Sequence, residues 1–158
     1  MIKQNDCRLL PEIRNIGCFV RSCGAVAELK AGKTLSYRQI NELWQWAKKS
    51  GNVDWKNDVK HSAPIITKAY SMLGMKGQFF EVATFKNGKM NYYGSVGEGL
   101  RSAEKWYIQK VKTDGPIGTH FRNVNYEGKL LFDPYEPEVI PQGIIYSIVY
   151  AFRSWENE

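Results

Sequence analysis

The 158-residue chain is short of the groups that usually cross-link or metallate a small protein. It has three cysteines, Cys7, Cys18 and Cys23, all near the N-terminus. An odd, crowded set is not the even, dispersed framework of a disulfide-stapled secreted domain. The two histidines, His61 and His120, lie too far apart and alone to complete a zinc site of normal spacing. No apolar run approaches the roughly 20 residues of a membrane-spanning helix. The opening Met1–Asp6 is followed by no apolar stretch, so no secretory signal is expected, and the cytoplasm is the expected location. Repeats, low-complexity tracts and linker-like stretches are missing too. The net charge is +6, yet no window gathers Lys and Arg as a dedicated nucleic-acid binder does. A basic surface of this kind suits an acidic protein or an anionic wall polymer.

What is present describes a globular chain. Hydrophobic residues make up 43% and charged residues 24%, which excludes intrinsic disorder, collagen and coiled coil. Aromatics reach 13%, with five Trp, nine Tyr and seven Phe, pointing to a mixed or β-heavy core rather than a plain helical bundle. A single domain over 1–158 is expected, and a chain of this size buries roughly 70% of its unfolded surface.

Residues 1–17 read as an extended lead-in. Cys18–Lys30 reads as a buried helix stopping at Gly32, with Gly24 permitting close packing. Ser36 and Gln39 form a capping-box pattern ahead of Ile40, Leu43, Trp44 and Ala47 at helical spacing, with Gly51 as the stop. Ser62 is expected to cap a third helix that carries Pro64 in its first turn and ends at Gly74. Beyond Gly77 the texture turns to strands. Gln78–Lys86 and Lys89–Tyr93 flank Asn87-Gly88, the strongest short hairpin signal. Ser102–Lys112 reads as an amphipathic helix. Ile117–Tyr126, Lys129–Phe132 and Gly143–Trp155 read as three strands. Helices first and strands after give an α+β domain.

Cysteine nucleophiles need a thiolate, a base and a group that orients the base. Cys18 is placed at a helix N-terminus, where backbone N–H groups and the macrodipole favour negative charge. Gly17 before it would leave room for a substrate carbonyl, and Arg14 and Arg21 would add positive potential. Cys23 would point elsewhere from mid-helix, and Cys7 lies in the lead-in. The base is His120, on a strand-turn-strand segment that also carries Asp133. With Tyr126-Glu127 at the tip His120 faces Asp133; with Glu127-Gly128 at the tip Asp133 faces Arg122. Either register brings the imidazole and the carboxylate to one face. The competing reading is a surface His–Asp pair and buried structural thiols. His61, with Asp58 nearby, reads as a surface residue.

The chain order is Cys on an early helix, His on a late strand and Asp on the next. With Cys18, Gly32-Lys33, the Ser36-capped helix, Gly118-Thr119-His120-Phe121, Gly128 and Phe132-Asp133-Pro134, it resembles the bacteriocin-processing (double-glycine leader) peptidases and their stand-alone relatives. It also looks like phage- and plasmid-associated bacterial proteins that share this layout. The resemblance covers roughly 15–46 and 115–135. It implies a papain-like cysteine peptidase fold, with N-terminal helices packed on an antiparallel sheet. It assigns Cys18 as nucleophile, His120 as base and Asp133 as orienting acid, and it implies no metal or organic cofactor. Where the family has Cys-Gly-Pro this chain has Cys18-Phe19-Val20. The family's Gln ahead of the Cys has no counterpart among residues 12–16. The oxyanion role then falls to Asn15, or to the Cys18 backbone N–H with another donor. The expected partner is a peptide or protein substrate, without membrane or nucleic acid. The alternatives are a phage-type peptidoglycan amidase or endopeptidase, and a non-catalytic binding protein acting on a host protein. For the last, Trp46 and Trp55 are the surface aromatics, whereas Trp44 belongs to the core. Substrate selection is expected from the unmatched middle, roughly 50–112.

Overall fold

A computed structural model shows the fold and describes residues 1–115 and 118–155. It is α+β: four helices come first and one open antiparallel sheet follows. The helices are α1 (Pro11–Ile16), α2 (Cys18–Ala31), α3 (Tyr37–Lys49) and α4 (Ser62–Met72). A short α5 (Gly94–Gly99) interrupts the strands, which are β1 (Gln78–Lys86), β2 (Lys89–Tyr92), β3 (Lys105–Lys112), β4 (Thr119–Val124), β5 (Leu130–Phe132) and β6 (Gly143–Arg153). The sheet order is β2-β1-β6-β3-β4-β5.

Local signals explain most boundaries. Ser36 and Gln39 bond reciprocally at the start of α3, as the capping box requires. Gly32 ends α2 in the left-handed conformation at φ 65°. Asn87 and Gly88 both take positive φ, so Lys86 pairs with Lys89 across a two-residue hairpin.

Four expectations are corrected. The lead-in is not wholly extended, because Pro11 occupies the first turn of α1, where its missing N–H costs nothing. Segment 105–112 is a strand, not a helix. It pairs with β4 on one side and β6 on the other, and this pairing, remote in sequence, rather than its own periodicity makes it a strand. Ser62 does not cap α4. The cap position is His61, and the Ser62 hydroxyl is buried against Tyr150 Oη at 2.7 Å. The strand expected from Ile117 begins at Thr119, and Ile117 itself lies outside the described residues.

The main core lies between the helices and one face of the sheet. Ile13, Val20, Leu43, Ile65, Phe79 and Tyr150 are among its members. Val82, Ala83, Val149 and Ala151 form a smaller apolar cluster of their own, against which Leu100 packs. Trp44 is buried as expected, and Trp46 is only partly buried, packed on the core. Trp55 stands 82% exposed.

Two contacts set α2 against the sheet end. Phe19 stacks on Phe121 with centroids 4.2 Å apart, and Asn123 Nδ2 donates to the Ser22 carbonyl at 3.0 Å. A fully buried ion pair lies on the same helix, where Arg21 Nη2 meets Glu28 Oε1 at 2.6 Å. Arg21 Nε donates to the Ile2 carbonyl, its guanidinium covers the Phe132 ring, and Glu28 Oε2 accepts from the Leu35 N–H. Arg21 is therefore an internal tie between α2, the N-terminal segment and β5, not a source of potential at the Cys18 end. Burial lowers its pKa, and Glu28 opposes that shift.

Candidate active site

Cys18 is the first residue of α2 and Gly17 its N-cap. Gly17 has no side chain to occupy the first-turn N–H groups, so they remain donors at the thiol. The glycine does not serve as space for substrate. A Cβ there would lie 2.6 Å from Ile13 O and 2.7 Å from Ile13 Cα. It is the contact that lets α1 turn directly into α2. The other thiols differ as expected: Cys7 is exposed and Cys23 fully buried. Burial, with the Glu81 charge adding to it, pushes the Cys23 pKa well up.

His120 and Asp133 meet. His120 Nε2 lies 2.7 Å from Asp133 Oδ1, with the two residues 6% and 1% exposed. The hairpin closes through three residues, Tyr126-Glu127-Gly128, with Asn125 N–H donating to Lys129 O at 2.9 Å. The register then shifts between Val124↔Leu130 and Asn123↔Phe132. Neither two-residue tip is realised, and the bulge aims Asp133 at His120 from one step along the ladder.

The carboxylate is fully engaged. Asp133 Oδ1 also accepts the Tyr135 N–H, and Oδ2 accepts the Val139 N–H, both at 2.9 Å. Burial alone would raise its pKa, but the imidazole and the two N–H donors outweigh burial and lower it. An ionised Asp133 places the imidazole proton on Nε2, so Nδ1 is the nitrogen left to face Cys18. Cys18 lines the same cleft as that ring and is near enough to influence its titration. Burial opposes a charge on His120, but Asp133 and Cys18 prevail and raise its pKa to about 9.

Cys18 and His120 open onto a cleft of about 890 Å³, with Asp133 buried behind the imidazole. Asn15, Ile16, Cys18 and Phe19 line the α1–α2 side; Lys110, His120, Phe121 and Tyr146 line the sheet side. Residues 56–59 and 135–142 contribute further walls. Asn15 is therefore at the cleft, as expected. Arg14 is not among its lining residues; its carbonyl instead faces Gln4.

Gln4 is the residue that reasoning from the sequence missed. It is 2% exposed and lines the same cleft. Its Nε2 reaches the Ile13 and Arg14 carbonyls at 3.3 and 3.4 Å, which orients the amide. Residues 2–5 run as a strap across the site: Gln4 N–H donates to Pro134 O at 2.6 Å, Lys3 Nζ to Asp133 O at 2.7 Å, and Asn5 Nδ2 to Glu136 O at 2.6 Å. The only signal was a Gln in an irregular segment, far upstream of Cys18.

Among the described residues no three of His, Cys, Asp or Glu gather to hold a metal ion. No described helix is long and apolar enough to cross a membrane. Comparison of the chain with protein-family models, curated proteins and solved structures finds no match.

Proposed function

We propose that this is a papain-like cysteine peptidase or amidase acting on a peptide or protein substrate. The observation that carries the reading is the imidazole held between a buried carboxylate and a thiol at a helix N-terminus. That is the set of parts covalent acyl transfer requires.

Cys18 Sγ attacks the scissile carbonyl carbon from its thiolate form, with imidazolium as counter-ion. The carbonyl π pair moves to oxygen. The Cys18 backbone N–H is one donor for that oxyanion; Gln4 Nε2 serves as the second by releasing one of its two long bonds, to Ile13 O or Arg14 O, and Asn15 lines the same cleft. The C–N bond breaks as His120 passes its Nδ1 proton to the leaving amine. Neutral His120 then takes a proton from water, the hydroxide adds to the thioester, and collapse releases the acid and restores Cys18. Asp133 keeps the Nε2 proton in place throughout, which fixes the tautomer.

The test is iodoacetamide labelling of the folded chain at pH 6, read by mass spectrometry. Cys18 should react selectively, and His120→Ala should abolish that selectivity. Equal slow labelling of Cys18 and the exposed Cys7 would overturn the reading.

A further inference from the structure

We infer that Lys110 makes the cleft select substrates carrying a carboxylate a few residues from the scissile bond. This rests on the acyl-transfer reading above and specifies its substrate class.

Lys110 is half-buried on β3, directly across the ladder from Phe121. Its ammonium lies 5.7 Å from the Phe121 centroid and 5.7 Å from the Tyr146 centroid, over both rings. Both aromatics and the lysine line the cleft. Among the described residues the ammonium has no carboxylate within 4.0 Å and no hydrogen-bond acceptor; the rings are its only partners. The fully buried Arg21 contrasts with it, since that cation is paired with Glu28.

Two carboxylates, Asp58 and Asp114, also line the cleft, and neither pairs with the Lys110 ammonium. Asp114 Oδ2 instead accepts the Gln142 amide at 3.0 Å. The aromatic faces hold the cation and strip part of its water while offering no anion, so an incoming carboxylate gains more there than at an open surface.

The position gives the spacing. Phe121 stacks on Phe19, the neighbour of Cys18, at 4.2 Å. The ammonium is thus at most about 10 Å from the Phe19 ring. An extended peptide advances about 3.3–3.6 Å per residue. That places the carboxylate within a few residues of the segment lying against Phe19, either as an Asp or Glu side chain or as the chain's own C-terminus.

The experiment uses the Cys18→Ala chain, which binds without turnover. The probes are fluorescein-labelled hexapeptide sets, randomised except for one fixed Asp or Asn, each made with an amidated and with a free C-terminus. Fluorescence polarisation reads affinity. The expected result is about fivefold tighter binding of acid over amide at one position, as a half-buried ion pair supplies. That ratio should fall to about one in Lys110→Gln and persist in Lys110→Arg, with unchanged thermal midpoints. A preference confined to the free C-terminus assigns the group to the terminal carboxylate; one among amidated sets assigns it to a side chain. No preference, no binding up to the solubility limit, or a preference that survives Lys110→Gln would overturn the inference. Iodoacetamide labelling of wild-type Cys18 is read separately. An acid preference beside an unreactive Cys18 would leave the anion site standing and remove the catalytic reading; the reverse result would do the opposite.

Discussion

Asp133→Asn isolates the electrostatic role of the acid from the shape of the site. The substitution preserves volume, and an Asn oxygen can still accept from His120 Nε2 and the Tyr135 N–H. Its NH₂ must then face the Val139 N–H that Oδ2 now accepts, donor against donor. The fold loses one buried hydrogen bond, a cost of about 1–3 kcal/mol. The imidazole loses its anion. With its pKa at about 9, His120 is about 90% charged at pH 8 in the wild type. Burial pushes it down, and the hydrogen bond to Asp133 is the largest single influence that raises it. An imidazole at the ordinary value of about 6.5 is only about 3% charged at pH 8. The counter-ion of a Cys18 thiolate is thereby cut about tenfold or more.

The assay is competitive iodoacetamide labelling at pH 8, with the exposed Cys7 in the same molecule as the internal standard. The Cys18-to-Cys7 labelling ratio should fall at least about tenfold in Asp133→Asn and approach wild type near pH 10, where ordinary thiols ionise unaided. Stability should follow the same linkage. Folded His120 titrates above its ordinary value, so its contribution is complete below about pH 6.5 and is lost as pH rises through about 9. Folded Asp133 titrates below its ordinary value, so its contribution is present above about pH 4 and is lost as pH falls further. The gap in thermal midpoint between wild type and variant should be widest from about pH 4.5 to 6.5 and should narrow above 9. An unchanged labelling ratio at pH 8 in a variant that folds would refute the ion-pair account.

Two further outcomes probe the frame around the site. Gln4→Ala should lower kcat/KM on a fluorogenic peptide library about 10²–10³-fold, as loss of an oxyanion donor does, while leaving Cys18 alkylation within about threefold; an equal loss of alkylation would make Gln4 structural instead. Gly17→Ala sets a methyl against the Ile13 backbone at 2.6 Å, where nothing flexible can yield, and should destabilise by about 1–3 kcal/mol in urea unfolding; a change within about 0.5 kcal/mol would show that α1 can move aside.

Elements with local chemical punctuation were legible from the chain: the Ser36–Gln39 box, the Gly32 stop and the Asn87-Gly88 turn all act where they were read. Local punctuation failed where tertiary pairing decides. Segment 105–112 carries Trp106, Ile108 and Val111 at spacings a helix would tolerate, and only β4 and β6 on its flanks make it a strand. Gly94–Gly99 gave no helical sign at all, and Gly97 is required there by contact, since a Cβ would lie 2.4 Å from Val82 O. At the site, short-range rules put Cys18 at a helix start and His120 and Asp133 on one hairpin face, whereas the roles proposed for them came from chain order and the family resemblance. Gln4 was not, because its position depends on backbone bonds to Pro134 and α1, remote in sequence.

That strap also explains how the site holds its width. Cys18 belongs to α2 and His120 to β4, with Asp133 just past the end of β5, so the gap between Cys18 and His120 is a gap between two layers. Three of the ties that cross it are the Phe19–Phe121 stack, the Asn123–Ser22 bond, and residues 2–5. The third reaches both layers at once. Ile2 O accepts from Arg21 on α2, while Lys3, Gln4 and Asn5 bond to 133–136 beyond β5. The Gln4 amide lies on the segment that bonds to both layers, so a motion that parts Cys18 from His120 would also displace Gln4. On the proposed acyl-transfer reading, nucleophile, base and amide would then assemble or separate together, which is the preorganisation that such chemistry needs.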